Sequence, residues 1–343
     1  MEINAEECLK RKDNFLCQEN VESVLVKGGE RLPCAPRFSI VIPTWKRLET
    51  LKDTVESALA QEGDIPYDII VVEDNPEPDS GICRYLTGLG DARIRYWRNS
   101  RNLGLVGNFN RAVSLADAEY AVLVHDDDFL FPGYLKKMSG ILDRFPDADI
   151  VCPAAVKWRE YLGEPRPSCV MDDAPARIWT PDADAEPFCR FFAPTGVTFR
   201  KSAFMESGGF DHESGPSTDL YYIVRSGKDF RYYRYDKPMF VYRWAENESM
   251  KFSTRMDFLH AGLPLRRLLL ERRNVPSPVS RAILEYYCWK SVESMKKDFP
   301  DENIDLDGLV LPGNRMEVRV GKFVTDVFAR FLMDRRRLRA KKI

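Results

Sequence analysis

Between residues 38 and 144, four short apolar runs, FSIVIP (38–43), DIIVVE (68–73), IRYWR (94–98) and YAVLVH (120–125), alternate with stretches of helical length and spacing at 47–61, 80–89, 105–116 and 132–144. Runs of Val, Ile and Tyr this short, bounded by turn residues, read as buried strands. A strand that returns to its sheet by way of a helix makes a right-handed βαβ unit. The alternation therefore predicts an α/β fold with a mostly parallel sheet flanked by helices. In such sheets ligands bind beyond the carboxyl ends of the strands. Pro43 and Thr44 follow the first run, Glu73, Asp74 and Asn75 the second, and His125, Asp126, Asp127 and Asp128 close the fourth. Polar, mostly acidic groups converge on one edge.

The pattern also divides the chain. Residues 1–37 are charged and weakly periodic and end in RLPCAPR, an N-terminal extension expected to pack late or loosely. Residues 38–250 form the expected core domain. Within it regularity fades after 150, where EYLGEPRPSCVMDDAPARIWTPDADAEP reads as a long loop with at most short strands. Order returns with TGVTFR, a Gly208-Gly209-Phe210 turn, a short helix around Leu220 to Val224, and strands in FRYYRY and MFVYR. Residues 251–343 read as a helical C-terminal region, with spans near 256–273, 278–298 and 316–340.

Several function classes are excluded on composition. Lys and Arg number 51 against 53 Asp and Glu, so no global basic field advertises nucleic-acid binding. No apolar h-region opens the chain, and no run approaches the roughly 18 apolar residues that a membrane span needs, so a cytoplasmic protein is expected. Eight cysteines without a CxxC pair, and three histidines (His125, His212, His260) without metal-ligand spacing, predict structural thiols and no histidine-based zinc site.

The chemistry concentrates in VHDDDFLFP. One aspartate after a strand commonly caps the next helix. Three in succession repel one another, and a ligand-facing strand end requires an ion or donors to compensate them. Mg²⁺ and Mn²⁺ favour carboxylate oxygens and bridge to substrate phosphates. A phosphatase using an aspartyl nucleophile fits less well, because DDDFLF lacks the polar or β-branched fifth residue of that loop. A nucleotidyltransferase would carry a glycine-rich loop after the first strand, and PTWKRLET has no glycine.

Six segments in order, FSIVIPTWKR, VVEDN, RNLGLVGNFNRAV, VHDDDFLFP, TGVTFRKSAFMESGGFDHE and STDLYYIVRSG, resemble those of family 2 glycosyltransferases with a GT-A fold. The resemblance covers about three-fifths of the chain and implies a Rossmann-like GT-A domain that transfers a sugar, with inversion, from a nucleotide-sugar donor, UDP- or dTDP-linked, to a hydroxyl of a glycan or lipid-linked acceptor. Carried over residue by residue, it implies that Pro43, Thr44 and Asp74 hold the nucleotide base, and that Asn102 to Asn110 lines the nucleotide and ribose. The four-residue distance from Asp128 to Pro132 sets the register within the acidic run. In that register against the family's pattern, the resemblance implies Asp127 as the main ligand of Mn²⁺ or Mg²⁺, with Asp128 supporting it and Asp126 beside the ribose or donor sugar. Asp219 matches the general base, and its alternative is a helix cap; Asp211 is a further candidate for acceptor or sugar contact. Where many metal-using relatives carry a YRxH histidine, this chain has Tyr242-Arg243-Trp244-Ala245, so Glu246, Arg243 or a loop residue would have to substitute, or metal would be held weakly. That departure supports a competing reading, a catalytically weak relative that binds nucleotide sugars or glycans.

The tail VGKFVTDVFARFLMDRRRLRAKKI places Val320, Phe323, Val324, Val327, Phe328, Phe331 and Leu332 on one helical face ahead of a basic cluster. Such a helix docks on the core with a solvated basic end. The alternative is peripheral contact of 316–343 with the inner face of a membrane.

Overall fold

The computed structural model describes residues 3–10, 12–29, 32, 34–77, 81–172, 174–189, 192–245, 250–337 and 341–342. Its strands are β1 (Ser23–Lys27), β2 (Phe38–Thr44), β3 (Tyr67–Glu73), β4 (Ile94–Asn99), β5 (Tyr120–Leu123), β6 (Phe129–Leu130), β7 (Ile150–Arg159), β8 (Arg177–Trp179), β9 (Val197–Arg200), β10 (Tyr232–Trp244) and β11 (Lys341–Lys342). Its helices are α1 (Ala5–Cys8), α2 (Leu48–Leu59), α3 (Ile82–Gly88), α4 (Gly104–Ser114), α5 (Tyr134–Arg144), α6 (Glu186–Cys189), α7 (Lys201–Glu206), α8 (Thr218–Ser226), α9 (Phe252–Arg272), α10 (Ser277–Asp298) and α11 (Arg315–Arg337).

All strands join one sheet in the order β1-β4-β3-β2-β5-β9-β7-β10-β8-β11, with β6 beside β10. The four strands expected from the alternation form its parallel block, β4-β3-β2-β5. Beyond β5 the sheet is mixed: β9 runs antiparallel to both β5 and β7, while β10 lies parallel to β7. The mostly parallel expectation therefore holds for the β4-β3-β2-β5 block and for the β7–β10 pair, while the other pairs are antiparallel because the later connections are not all helical crossovers. Two further differences are local. Residues 150–159 form a ten-residue strand, longer than the at most short strands that the fading periodicity predicts after 150. FRYYRY and MFVYR belong to one strand whose register shifts around Pro238, a residue that cannot donate to the ladder and so marks an irregularity.

The period-two pattern of the central strands sorts their side chains onto opposite faces. Phe38, Ile40, Ile42, Ile69 and Val71 meet α2, α3 and α5 on one side. Val41, Ile70, Val72, Ala121 and Leu123 meet α4, α7, α8 and α9 on the other. This sandwich of helix, sheet and helix leaves the carboxyl ends of β2, β3 and β5 as a shared rim.

The N-terminal extension is not a loose appendage. Ala5 and Cys8 enter the core on the α4 face, β1 pairs antiparallel with β4, and Arg111 donates to the Gln18 and Val21 carbonyls at 2.8 Å each. Asn14 clamps the glycine turn, its backbone N–H and side-chain amide both donating to the Gly208 carbonyl, at 3.1 and 2.9 Å. The C-terminal region forms its own small core between α9 and α10 from Leu259, Leu263, Cys288, Val292 and Met295. Helix α11 leans on α10 through Gly321, where a Cβ would stand 2.8 Å from the Ala282 carbonyl oxygen. No helix among the described residues is long and apolar enough to cross a membrane.

Gly208 joins these parts: its φ of +83° suits glycine, and a Cβ there would be driven into the Lys12 carbonyl oxygen. Gly208→Ala is expected to lower the unfolding free energy by roughly 2 kcal/mol or more, because backbone on both sides must move. Urea denaturation of the variant beside the parent chain measures it.

Candidate active site

The acidic run follows β5 after Val124 and His125 and turns on itself, the Asp128 N–H donating to the His125 carbonyl at 3.1 Å. All three carboxylates are buried, so each needs compensation from elsewhere in the chain. Asp126 receives the Thr44 hydroxyl at 2.7 Å from the end of β2. Arg47, just ahead of α2, reaches Asp126 at 3.1 Å and Asp127 at 2.9 Å. Asp128 accepts the Arg243 backbone N–H at 2.8 Å from β10. The compensating donors thus come from β2, from the approach to α2 and from the far half of the sheet.

Compensation is incomplete. Burial, opposed by Arg47, holds the Asp126 carboxyl up at about 6. Burial and the neighbouring Asp127 charge raise Asp128 well above the usual carboxylate range. The second Asp128 oxygen, Oδ2, is buried without a hydrogen-bond donor and lies 3.8 Å from His125 Nδ1. The His125 ring stacks on Phe109 at 4.9 Å, and its backbone N–H donates to the Thr195 hydroxyl at 3.1 Å. Burial lowers its pKa to about 4, which leaves a neutral imidazole with a lone pair at neutral pH. Ligand atoms of His125, Asp127 and Asp128 lie within 4.8 Å of one another. One imidazole nitrogen and two carboxylates suit a cation of the Mn²⁺ type, and the orphaned Asp128 oxygen is the atom that such an ion would satisfy.

The other expected residues fall into three groups. Pro43, Thr44 and Asp74 sit at the shared rim of β2 and β3, as expected, and all are buried. Asp74 also shapes the backbone around it, because its carboxylate accepts the Asn99 amide at 2.8 Å and the Leu103 N–H at 2.8 and 3.0 Å. It thereby fixes the loop leading into α4. It does not cap the helix after residue 80. Burial, opposed by those donors, raises its pKa.

Asn102 and Asp211 line a common cleft of about 570 Å³ together with Lys12, Asn14, Cys17 and His212. Asp211 is turned into the protein: it accepts the Glu213 N–H at 3.0 Å and lies 3.6 Å from Lys12.

Asn110 and Arg243 need correction. The Asn110 side chain is fully buried, and both of its polar atoms are spent on the Phe210 backbone at 2.8 Å, so it does not face a ligand. The Arg243 guanidinium is held by both Glu160 oxygens, at 2.6 and 2.7 Å, and by Asp53 at 3.1 Å. Arg243 reaches the site through its backbone N–H on Asp128 and through the longer-range attraction of its guanidinium to Asp127. Glu246 lies outside the described residues.

Asp219 opens α8 and is buried, its carboxylate accepting the following Leu220 N–H at 2.8 Å. Burial, partly offset by backbone N–H donors, brings its pKa up to about 7. A carboxyl group that titrates near neutrality suits general base catalysis.

Arg47, His125 and Thr195 are the site residues that sequence reasoning missed. Arg47 lies in the conspicuous PTWKR segment and His125 directly precedes the run. No spacing rule links Arg47 to the carboxylates, since its contact with Asp126 spans 79 positions, whereas His125 faces Asp128 across three positions.

Residues 39–206 match the family model described as Glycosyl transferase family 2. An uncharacterized glycosyltransferase of Bacillus subtilis, YwdF, is 28% identical over 61% of this chain and 75% of its own length. For another relative the match spans only 60% of that protein. The fold is similar to S. aureus TarS 1-349 solved with UDP (TM-score 0.53, 15% identity, 79% of this chain and 76% of that one). It is also similar to a mannosyltransferase of Pyrobaculum calidifontis solved with GDP-Man and Mn²⁺ (TM-score 0.50, 14% identity, 95% and 92%). At these identities the likeness concerns the fold, a GT-A arrangement.

Asn110→Ala separates packing from ligand contact. Leaving the Phe210 N–H and C=O unsatisfied is expected to destabilise the protein by about 2–4 kcal/mol. Nucleotide affinity of the folded fraction, read by calorimetry, should stay unchanged.

Proposed function

Because this chain belongs to glycosyl transferase family 2, we propose that it transfers a sugar with inversion from a UDP- or dTDP-linked donor to a hydroxyl of a glycan or lipid-linked acceptor. The observation that carries the reading is the buried, undercompensated group of Asp126, Asp127 and Asp128 at the carboxyl ends of the parallel strands, with His125 beside it. Thr44 and Asp74 hold the nucleotide base, and Asp126 orients the ribose or sugar. Asp127, Asp128 and His125 would hold a divalent ion, which is consistent with the Mn²⁺ bound by the mannosyltransferase of similar fold. When bound, the ion offsets the negative charge that grows on the departing nucleoside diphosphate. Arg47 already brings one positive charge to the same carboxylates.

Asp219 takes the proton of the acceptor hydroxyl. The acceptor oxygen then bonds to the sugar C1 as the bond from C1 to the phosphate oxygen breaks, and its electron pair leaves with the diphosphate. Attack opposite the leaving group inverts the anomeric centre. Only the ionised form of Asp219 accepts the proton, so transfer should rise with pH through a midpoint near 7.

Asp127→Ala is expected to abolish transfer and any gain from Mn²⁺, and full activity in that variant would remove Asp127 from the site. Asp219→Asn should lower kcat by about 10²–10⁴-fold while nucleotide binding persists. It also has a stability signature. The pKa of Asp219 is raised on folding from an ordinary 3.8 to about 7, so its contribution is full below pH 4 and is lost as pH rises through 7. Asp219→Asn should therefore melt higher than the parent at pH 8, with the difference closing by pH 4.

The donor base is read by thermal shifts with UDP, dTDP and GDP, each with and without Mn²⁺. A shift with GDP alone would overturn the Asp74 assignment. Donor binding without turnover over a broad panel of sugars and acceptors would instead make the protein a binding module.

A further inference from the structure

Helix α11 has two apolar faces, and only one is covered. Gly321 is buried against α10, and Val318, Thr325 and Phe328, half-buried, share its side, Phe328 meeting Phe188 at 5.3 Å. These positions follow one another at i, i+3, i+7 and i+10, a single helical face. On the opposite side Met316, Val320, Phe323 and Val327 repeat at i, i+4, i+7 and i+11 and are between 48% and 69% exposed. The face expected from the sequence to dock on the core is therefore split: Phe328 packs inward, while Val320, Phe323 and Val327 point outward.

Large aromatic and aliphatic groups in a continuous exposed stripe mark an interaction surface. Exposed Arg319 and Arg330 flank the stripe along one edge. The helix's described acidic groups are drawn elsewhere, Glu317 onto Asn314 at 2.8 Å and Asp326 onto Lys322 at 3.2 Å. From 315 to the last residue the sequence has ten Lys and Arg against three Asp and Glu, in a chain of net charge -2.

We infer that this face of α11 lies on an anionic lipid surface, with Met316, Val320, Phe323 and Val327 entering the acyl boundary and the flanking arginines meeting lipid phosphates. The charge decides between occupants: a second copy would bring a strongly basic segment against itself, whereas an anionic bilayer complements it. The assignment does not depend on the transfer reaction.

The test is co-sedimentation of the full-length protein, without any donor, with phosphatidylcholine vesicles lacking or containing about 30% phosphatidylglycerol. The protein is expected to sediment with the anionic vesicles, less so as salt is raised. Phe323→Glu combined with Val327→Glu should cut the bound fraction about tenfold. Its melting temperature should not move, because both side chains are exposed. Arg319→Ala combined with Arg330→Ala should weaken binding to anionic vesicles alone. Equal sedimentation of the parent and the glutamate variant, or none by either, overturns the proposal. So does sedimentation velocity showing a parental dimer that the glutamate variant dissolves without any vesicle binding, since the face would then join two copies. None of these readouts uses catalysis, so their failure leaves the transfer reading standing.

Discussion

Three carboxylates buried in succession at the end of one strand create a charge that the protein must answer from several directions. A buried carboxylate without a partner is costly enough to take up a proton or recruit a cation. Here Thr44 and Arg47 answer Asp126, Arg47 answers Asp127, and the Arg243 backbone answers one oxygen of Asp128. These partners come from the first strand of the parallel block, from the approach to its first helix, and from the long strand of the mixed half. The acidic turn therefore ties the two halves of the sheet together. The oxygen left over, Asp128 Oδ2, is where the fold stops compensating and a ligand can begin.

A second layer fixes geometry without carrying charge. Phe109 stacks on His125 and meets Phe210 edge-on at 6.1 Å, while Asn110 grips the Phe210 backbone. One turn of α4 thus couples the acidic turn to the loop that leads through Asp211 toward Asp219. The N-terminal extension braces that loop from outside through Asn14, Lys12 and Cys17, whose thiol is 3.0 Å from His212. Its backbone is committed to the sheet edge and the glycine turn, so it acts as a structural part of the domain.

Burial used in this way has a cost. Asp219 sits where desolvation disfavours its ionised form, and a capping role alone would be served as well by serine or asparagine. Its elevated pKa is destabilising above neutrality, a cost that the base role proposed for it would explain. The same trade holds at Asp126, kept near 6 against the pull of Arg47.

Much of this was legible in the chain. Alternating apolar runs specified four parallel strands and their helices, because side-chain period and backbone geometry are local properties. The acidic run announced a site because it stood at a strand end. The ordered motifs identified the family, and the role proposed for Asp219 rests on them. Tertiary structure alone decided the partners: that the distant Arg47 neutralises Asp126 and Asp127, that His125 joins Asp128, that Asn110 is spent on Phe210, and which face of α11 is covered. Those outcomes depend on contacts between residues as far as 115 positions apart, as in the Arg243 bond to Asp128. No local periodicity encodes them, since they are fixed only when strands and helices pack into one sheet.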